Sequence, residues 1–419
     1  MLSAEKSTIG KPNQFKIYLL WGIASALAVY FSYFIISNAD SPNHGFASYY
    51  TSAKLLSEGE DVSQFYDNDW FSSKVKNFVP EVYDVYRFNF PTMTLLLLPL
   101  SNFSYSSAKI IWTIFNLLTL FFAIGYLIRE VNFTKIWLSL ILILIFSFQP
   151  LYANFLCGQA YVLIFCLLVL AWYAYKNDKN LLLGFVIGLI FIFKSISFII
   201  FIFFLIQKKW KSLLGAVLTS LSIAVLTLPW IGIDAWYAYA ENFFNDFTHP
   251  SLSVTAYQTI HSFFQHFTIF NHQWNPTPII NLPILGKILS TLSIFIVLVY
   301  SSLKAHQSEK SDLAFGAFVV AGLIISPVSI DYHYTIIILP IFILLKQVLK
   351  NQSRIVLAAL ILFTGLIAAY IPYTSLKVTT GWLALFAYPK LYGAVGLWGL
   401  LMLYTPKQNV SQTGNNQIR

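Results

Sequence analysis

The sequence predicts an all-α polytopic membrane protein, a bundle of about twelve transmembrane helices, and three observations carry that prediction. Of 419 residues, 57% are hydrophobic and 10% charged, with a mean hydropathy of +0.67, a composition outside the range of water-soluble domains. Apolar stretches close to the ~20 residues needed to cross a bilayer recur along the whole chain. The charges between them are sorted by sign. With Met1 to Lys16 placed in the cytoplasm, most of the 26 Lys and Arg fall on that side, while most of the 17 Asp and Glu and every His but His306 fall on the other. Cations are retained on the cytoplasmic face, so the sorting predicts both termini inside. The net charge of +9 is then a property of the inner loops and implies no nucleic-acid partner.

In order along the chain, the cleanest spans are 17–37, 106–128, 212–229, 284–303, 355–372 and 388–404. The first is too long for the apolar region of a cleaved signal and lacks a small-residue cleavage site, so it reads as a signal anchor. Shorter apolar stretches at 136–150, 161–175, 313–326 and 333–347 need tilt or polar flanks to cross. A single crossing over Leu181 to Gln207 would carry Lys208, Lys209 and Lys211 outside, and a break at Lys194 restores the positive-inside order. Cys157 and Cys166 show no metal or redox spacing and read as small apolar residues.

Two long external loops, 38–90 and 230–282, hold the ionisable groups. The first carries eight acids against Lys54, Lys74, Lys76 and Arg87; the second has Asp234, Glu241, Asp246 and four His with no Lys or Arg. Aromatic and apolar residues at helical spacing, as in Tyr49, Tyr50, Ala53 and Leu56, predict amphipathic helices on the outer membrane surface. The tail 405–419, rich in Asn and Gln, is expected to be a disordered cytoplasmic end.

The segment Phe46-Ala-Ser-Tyr-Tyr-Thr-Ser-Ala-Lys-Leu-Leu-Ser-Glu-Gly59, then Phe65-Tyr66, Phe88-Asn-Phe-Pro-Thr92, Leu97-Leu-Pro-Leu100 and Ala108 with Trp112 and Asn116 resemble glycosyltransferase family 87. The likeness continues at Asn154, Gly158-Gln159, Lys194, Gln258-Thr-Ile-His261 and Ser326-Pro-Val-Ser-Ile-Asp-Tyr-His333. The resemblance implies a GT-C-like bundle whose site lies on the external side, in the bacterial inner (plasma) membrane. It also implies transfer of a hexose, by family habit mannose, from a polyprenyl-phosphate donor to a lipid-linked or glycan hydroxyl. No cofactor is implied.

That chemistry needs a base for the acceptor hydroxyl and a cation or hydrogen-bond donor for the departing phosphate. Lys194, Arg87 and Gln159 are the phosphate candidates; the alternative for Lys194 is an ammonium that snorkels at a helix break, since a charge at a helix centre costs about 2.5–3.5 kcal/mol. The family usually places Asp just before the aromatic aligned with Phe46, and this chain has Gly45 there. The candidates for catalysis are therefore Asp40, His44, Asp331 and His333, each set against a plain reading as a helix cap or a partnered polar residue. Tyr49, Tyr50, Asn154, Gln258 and His261 are candidate substrate contacts, with interhelical packing as the alternative for Asn154 and Gln159. His261, His266 and His272 lack one-face ligand spacing, so no metal is expected. A transporter or flippase of lipid-linked sugar, or an inactive relative, is the competing class; no internal repeat supports the transporter.

Overall fold

The computed structural model describes residues 14–247, 249–308 and 310–405, so the expected tail 405–419 beyond its first residue and most of Met1 to Lys16 lie outside the described residues. Among the described residues every regular element is an α- or 3-10 helix, the only extended pairing being the bridge between Asn271 and Asn275. Each of the twelve predicted spans coincides with a helix. Five are long and apolar enough to cross a membrane by themselves: Gln14–Asn38, Tyr105–Val131, Trp210–Ile231, Pro283–His306 and Asp331–Asn351. A sixth is the pair Lys135–Phe146 and Gln149–Cys157, bent by 42°, where Pro150 stands in the first turn of the second helix. The other expected spans are shorter apolar helices, among them Tyr161–Lys176, Asn180–Phe193, Asp312–Ile325 and Arg354–Ala368, which need tilt or polar flanks to cross.

The long helices turn apolar side chains outward. Gln14–Asn38 buries only Ala24, Phe31 and Ile35, and Trp210–Ile231 exposes Leu214, Leu218, Leu221 and Val225, as expected of a surface whose solvent is lipid. Where Trp210–Ile231 crosses the shorter helix Asn180–Phe193, small residues let the backbones close. A Cβ on Gly184 would meet the Ser212 carbonyl at 2.6 Å, and one on Gly188 the Ala216 carbonyl at 2.5 Å. Ser220 donates to the Gly188 carbonyl at 3.1 Å in the same seam.

Ion pairs gather several helix ends. Glu130 pairs with Lys176 and with Lys346, and Asp178 with Lys310 and Lys209. These are ends that the charge sorting assigns to the cytoplasm.

The chain breaks at Lys194, which is extended (φ −146°, ψ 125°) between helices Asn180–Phe193 and Phe198–Ile206.

The first long loop is a small domain with its own apolar core, built from Phe46, Tyr49, Phe65, Phe71 and Tyr86 and shared with Ile231 and Ala235. Its helix Phe46–Ser57 corrects one expectation. Residues Phe46 to Ala53 are all buried, so it is an internal helix and not an amphipathic one lying on the membrane. Only its last turn, with Lys54, Leu56 and Ser57, reaches the surface. Helix Asn68–Phe78, which buries Phe71, Ser72 and Val75, has the one-sided pattern. The second loop folds onto the bundle through the Gln258 N–H, which donates to the Ser329 carbonyl at 2.8 Å, and through His266, whose ring nitrogens lie 2.6 Å and 3.0 Å from the Ser253 and Thr379 carbonyls.

Candidate active site

The site is assembled where the first loop meets the ends of four helices. Gly45 adopts φ +92°, a conformation that favours glycine, and stands at the start of helix Phe46–Ser57 with no side chain to cap it. The cap comes from 39 residues away. Asp84 Oδ2 accepts from Gly45 N–H at 2.5 Å and from Ser48 N–H at 2.9 Å, while Oδ1 accepts from Val85 N–H at 3.0 Å. Ser48 Oγ adds a bond to the Val85 carbonyl at 3.1 Å, so the two chain segments are stitched side by side.

Behind Gly45 stands Gln159. Helix Gln149–Cys157 ends at Gly158 in the left-handed conformation (φ +58°), and the Trp112 indole donates to the Gly158 carbonyl at 2.8 Å. This turn aims Gln159 at the first loop, where its Oε1 accepts from the Tyr49 hydroxyl at 2.6 Å. Asn154 supports it: with its amide turned to satisfy both neighbours, nitrogen donates to the Gln159 carbonyl at 2.8 Å and oxygen accepts from Tyr161 N–H at 3.3 Å.

Lys194 projects into the same space. Its Nζ donates to Asn89 Oδ1 at 2.6 Å and lies 5.2 Å from the Tyr49 ring centre and 5.8 Å from that of Tyr161. Among the described residues no carboxylate lies within ion-pairing distance, although the Asp84 charge acts on it. His333 completes the wall, its ring 4.2 Å from Tyr161 and 4.8 Å from Tyr332. Its Nδ1 accepts from Ile330 N–H at 3.2 Å, so the neutral ring carries its proton on Nε2.

The electrostatics centre on Asp84. Burial raises its carboxyl above the ordinary value, against the opposing pull of the Gly45, Ser48 and Val85 N–H groups and of His44. Tyr49 is likewise raised, first by burial and then by the neighbouring Tyr161 and Asp84. Both therefore hold protons more tightly than they would in water.

The other sequence candidates divide. His44 is exposed, with Nε2 3.6 Å from Cys157 Sγ, and faces Asp84 electrostatically. Asp40 is exposed and its charged neighbour is Lys109. That lysine is fully buried and donates to the Asn38, Ser41 and Leu156 carbonyls. Asp331 accepts from the Tyr373 hydroxyl and, at 3.1 Å, from Gln149, and pairs with the buried Lys390 at 3.4 Å. Arg87 lies over Phe88 and donates to Ser251 Oγ at 3.2 Å, tying the first loop to the second. Tyr50 donates to the Phe103 carbonyl at 2.9 Å, within the loop core. Gln258 is buried, donating to the Thr255 and Ala387 carbonyls and accepting from Lys390 N–H. His261 is buried beside Gln265, its Nε2 2.7 Å from that amide.

Sequence reasoning passed over Asp84, Asn89 and Lys390. Asn89 lies inside a motif that was singled out, Phe88-Asn-Phe-Pro-Thr92; Asp84 is one acid among eight in its loop and has no distinguishing neighbour in sequence. Among the described residues no group of three His, Cys, Asp or Glu side chains is placed to hold a metal ion.

An all-helical bundle with lipid-facing helices, whose first loop closes over a lysine, a histidine and a buried carboxylate, defines a class: polytopic membrane proteins with a charged site under a folded loop. The family model described as glycosyltransferase family 87 matches residues 89–327, more than half of the chain. The chain belongs to glycosyltransferase family 87, and it is an integral membrane glycosyltransferase. No curated protein and no solved structure matches it. The matched stretch contains Asn89, Asn154, Gln159, Lys194, Gln258 and His261; Gly45, Asp84, Asp331 and His333 lie outside it.

Proposed function

We propose that the protein transfers a hexose, mannose by preference, from a polyprenyl-phosphate donor to a lipid-linked or glycan hydroxyl on the outer side of the membrane. The observation that carries this reading is Lys194. An ammonium held at a break between two apolar helices, walled by two tyrosine rings and with no carboxylate counter-ion among the described residues, calls for an anionic ligand that approaches from within the bilayer. A lipid phosphate meets both demands.

In this reading Lys194 neutralises the phosphate as the sugar departs, and the Gln159 amide hydrogen-bonds its oxygens. Arg87 carries positive charge at the junction of the loops. Tyr49 and Tyr161 offer ring faces to the sugar or to the first isoprene units, and His333 Nε2–H can donate to a sugar hydroxyl. On the acceptor side stand His44 and Asp84. Asp331, Gln258 and Tyr50 act through the scaffold, Asp40 stands by Lys109, and His261 keeps the second loop in place. The membrane placement expected from the charge sorting, with both termini in the cytoplasm of a plasma membrane, puts this centre on the side opposite the inner ion-pair cluster.

The test is purified protein incubated with a panel of labelled polyprenyl-phosphate hexoses and a total membrane lipid extract. Labelled glycolipid from one donor supports the reading. No product from any donor, while polyprenyl phosphate itself fails to raise the melting temperature, removes it.

A further inference from the structure

We propose that Asp84 removes the proton from the acceptor hydroxyl, and that the acceptor reaches it along the groove beside Tyr105. This deepens the transferase reading and rests on it.

The first support is how the acids near the site are engaged. Asp331 is held by Tyr373, Gln149 and Lys390, and Asp40 is exposed. The Asp84 charge acts on both Lys194 and His44 and makes no ion pair among the described residues. Its Oδ2 is occupied by two N–H donors, whereas Oδ1 takes only the adjacent Val85 N–H. Oδ1 therefore keeps a lone pair for a hydroxyl.

The second support is access. A cavity of about 250 Å³ opens between Pro42, Phe78, Glu81, Tyr105 and Ser106. Its walls come from three segments, Pro42, Phe78 to Glu81 and Tyr105 to Ser106, and the first two run on to the contact between Gly45 and Asp84. Pro42 lies two residues before His44, and Glu81 three residues before Asp84. Tyr105 both lines the groove and holds the turn, since its hydroxyl lies 3.2 Å from Asn43 N and 3.4 Å from the Asn43 carbonyl. It also feels the Asp84 charge. Two aromatic faces, a hydroxyl and a carboxylate around an open groove suit a sugar ring, which offers C–H faces and hydroxyl donors together.

The step balances without a further reactant. The acceptor O–H proton passes to Asp84 Oδ1, and the oxygen's electron pair forms the bond to the anomeric carbon. The bond from that carbon to the phosphate oxygen breaks, and its pair leaves on the polyprenyl phosphate, whose added negative charge meets Lys194. Burial makes the Asp84 carboxylate a stronger base than one in water, in keeping with the task.

The alternative is that Asp84 only caps the helix, and Asp84→Asn separates the two. The Asn carbonyl oxygen still accepts from the Gly45 and Ser48 N–H groups, but it cannot take a proton. Wild type, D84N and D84E are compared with the labelled donor panel and membrane lipid extract, with polyprenyl phosphate binding followed by thermal shift. The expected result for D84N is a folded protein with a modestly lower melting temperature, since its NH2 now faces Val85 N–H, polyprenyl phosphate binding no weaker than that of wild type, and transfer reduced about 10²–10⁴-fold. D84E should recover part of the rate with a displaced acid limb in its pH profile. D84N that transfers at more than a tenth of the wild-type rate overturns the proposal. So does a D84E acid limb that coincides with that of wild type, a readout that holds even if D84N proves unstable. Wild type that transfers from no donor fails the transferase reading itself, which is a different result from wild type active and D84N equally active.

Discussion

A Cβ placed on Gly45 would stand 2.2 Å from Gln159 Nε2 and 2.9 Å from the Cys157 carbonyl. The space beside residue 45 is thus filled by the Gln159 amide, carried on the turn between helices Gln149–Cys157 and Tyr161–Lys176. Gly45 is a requirement of the fold, because residue 45 must hold φ +92° and leave room for Gln159.

Gly45→Asp should therefore harm the protein. The backbone at φ +92°, ψ −67° costs a non-glycine residue on the order of 1–3 kcal/mol, and the side chain displaces Gln159. Thermal unfolding in detergent should show a lower melting temperature than wild type, together with weakened polyprenyl phosphate binding. A variant as stable and active as wild type would show that the turn is freer than its geometry indicates.

Lys194→Met should weaken binding of polyprenyl phosphate by roughly 10- to 100-fold, the range expected for one charge-assisted hydrogen bond. Lys194→Arg should retain much of the affinity. Titration of the purified protein with polyprenyl phosphate, followed by intrinsic fluorescence, measures both; equal affinity in K194M would take the lysine out of the donor site.

Lys390 and Asp331 form a pair whose lysine is 1% exposed. Removing only the cation in Lys390→Met leaves a carboxylate facing the bundle interior, a loss of about 3–5 kcal/mol for such a broken pair. The double variant D331N/K390M should recover most of it. A double-mutant cycle on thermal unfolding reads the coupling, and additive single effects would mean that the pair contributes little to holding the Asp331–Ile337 turn that carries His333.

His261 makes stability depend on pH in a stated direction. Burial, and then the Lys287 charge, hold its ring down to about 4. The folded protein therefore prefers the neutral ring. Its contribution is complete above the unfolded value near 6.5 and is lost as pH falls from there toward about 4, because the unfolded chain takes up a proton that the folded one refuses. The melting temperature should drop across that window, and His261→Gln should flatten part of the drop. His266, also lowered by burial, accounts for a further part in the same direction.

Some of the site could be read along the chain. Lys194 betrayed itself as a charge in an apolar run, and the helix does break there. Gly158-Gln159 and His333 sit beside polar residues at span ends, where membrane helices tolerate them only with partners. Asp84 could not be read this way. Its significance lies in a contact 39 residues away in the chain, and no periodicity joins a loop carboxylate to a distant N–H. The buried helix Phe46–Ser57 was misjudged for a related reason: its aromatic spacing fits a membrane surface as well as a loop core, and only the closure of the loop over it decides.

By itself the amino-acid sequence determined that the chain is helical, that it is built for a bilayer and where its apolar segments lie. Those properties follow from local composition, because lipid selects apolar segments one segment at a time. Tertiary structure alone decided that Asp331 is already paired with Lys390 and that Asp84 meets the backbone at the start of helix Phe46–Ser57. It also decided that Gln159 occupies the space next to Gly45. Such facts depend on which distant atoms compete for one hydrogen bond or one volume, and that competition exists only once the helices have packed.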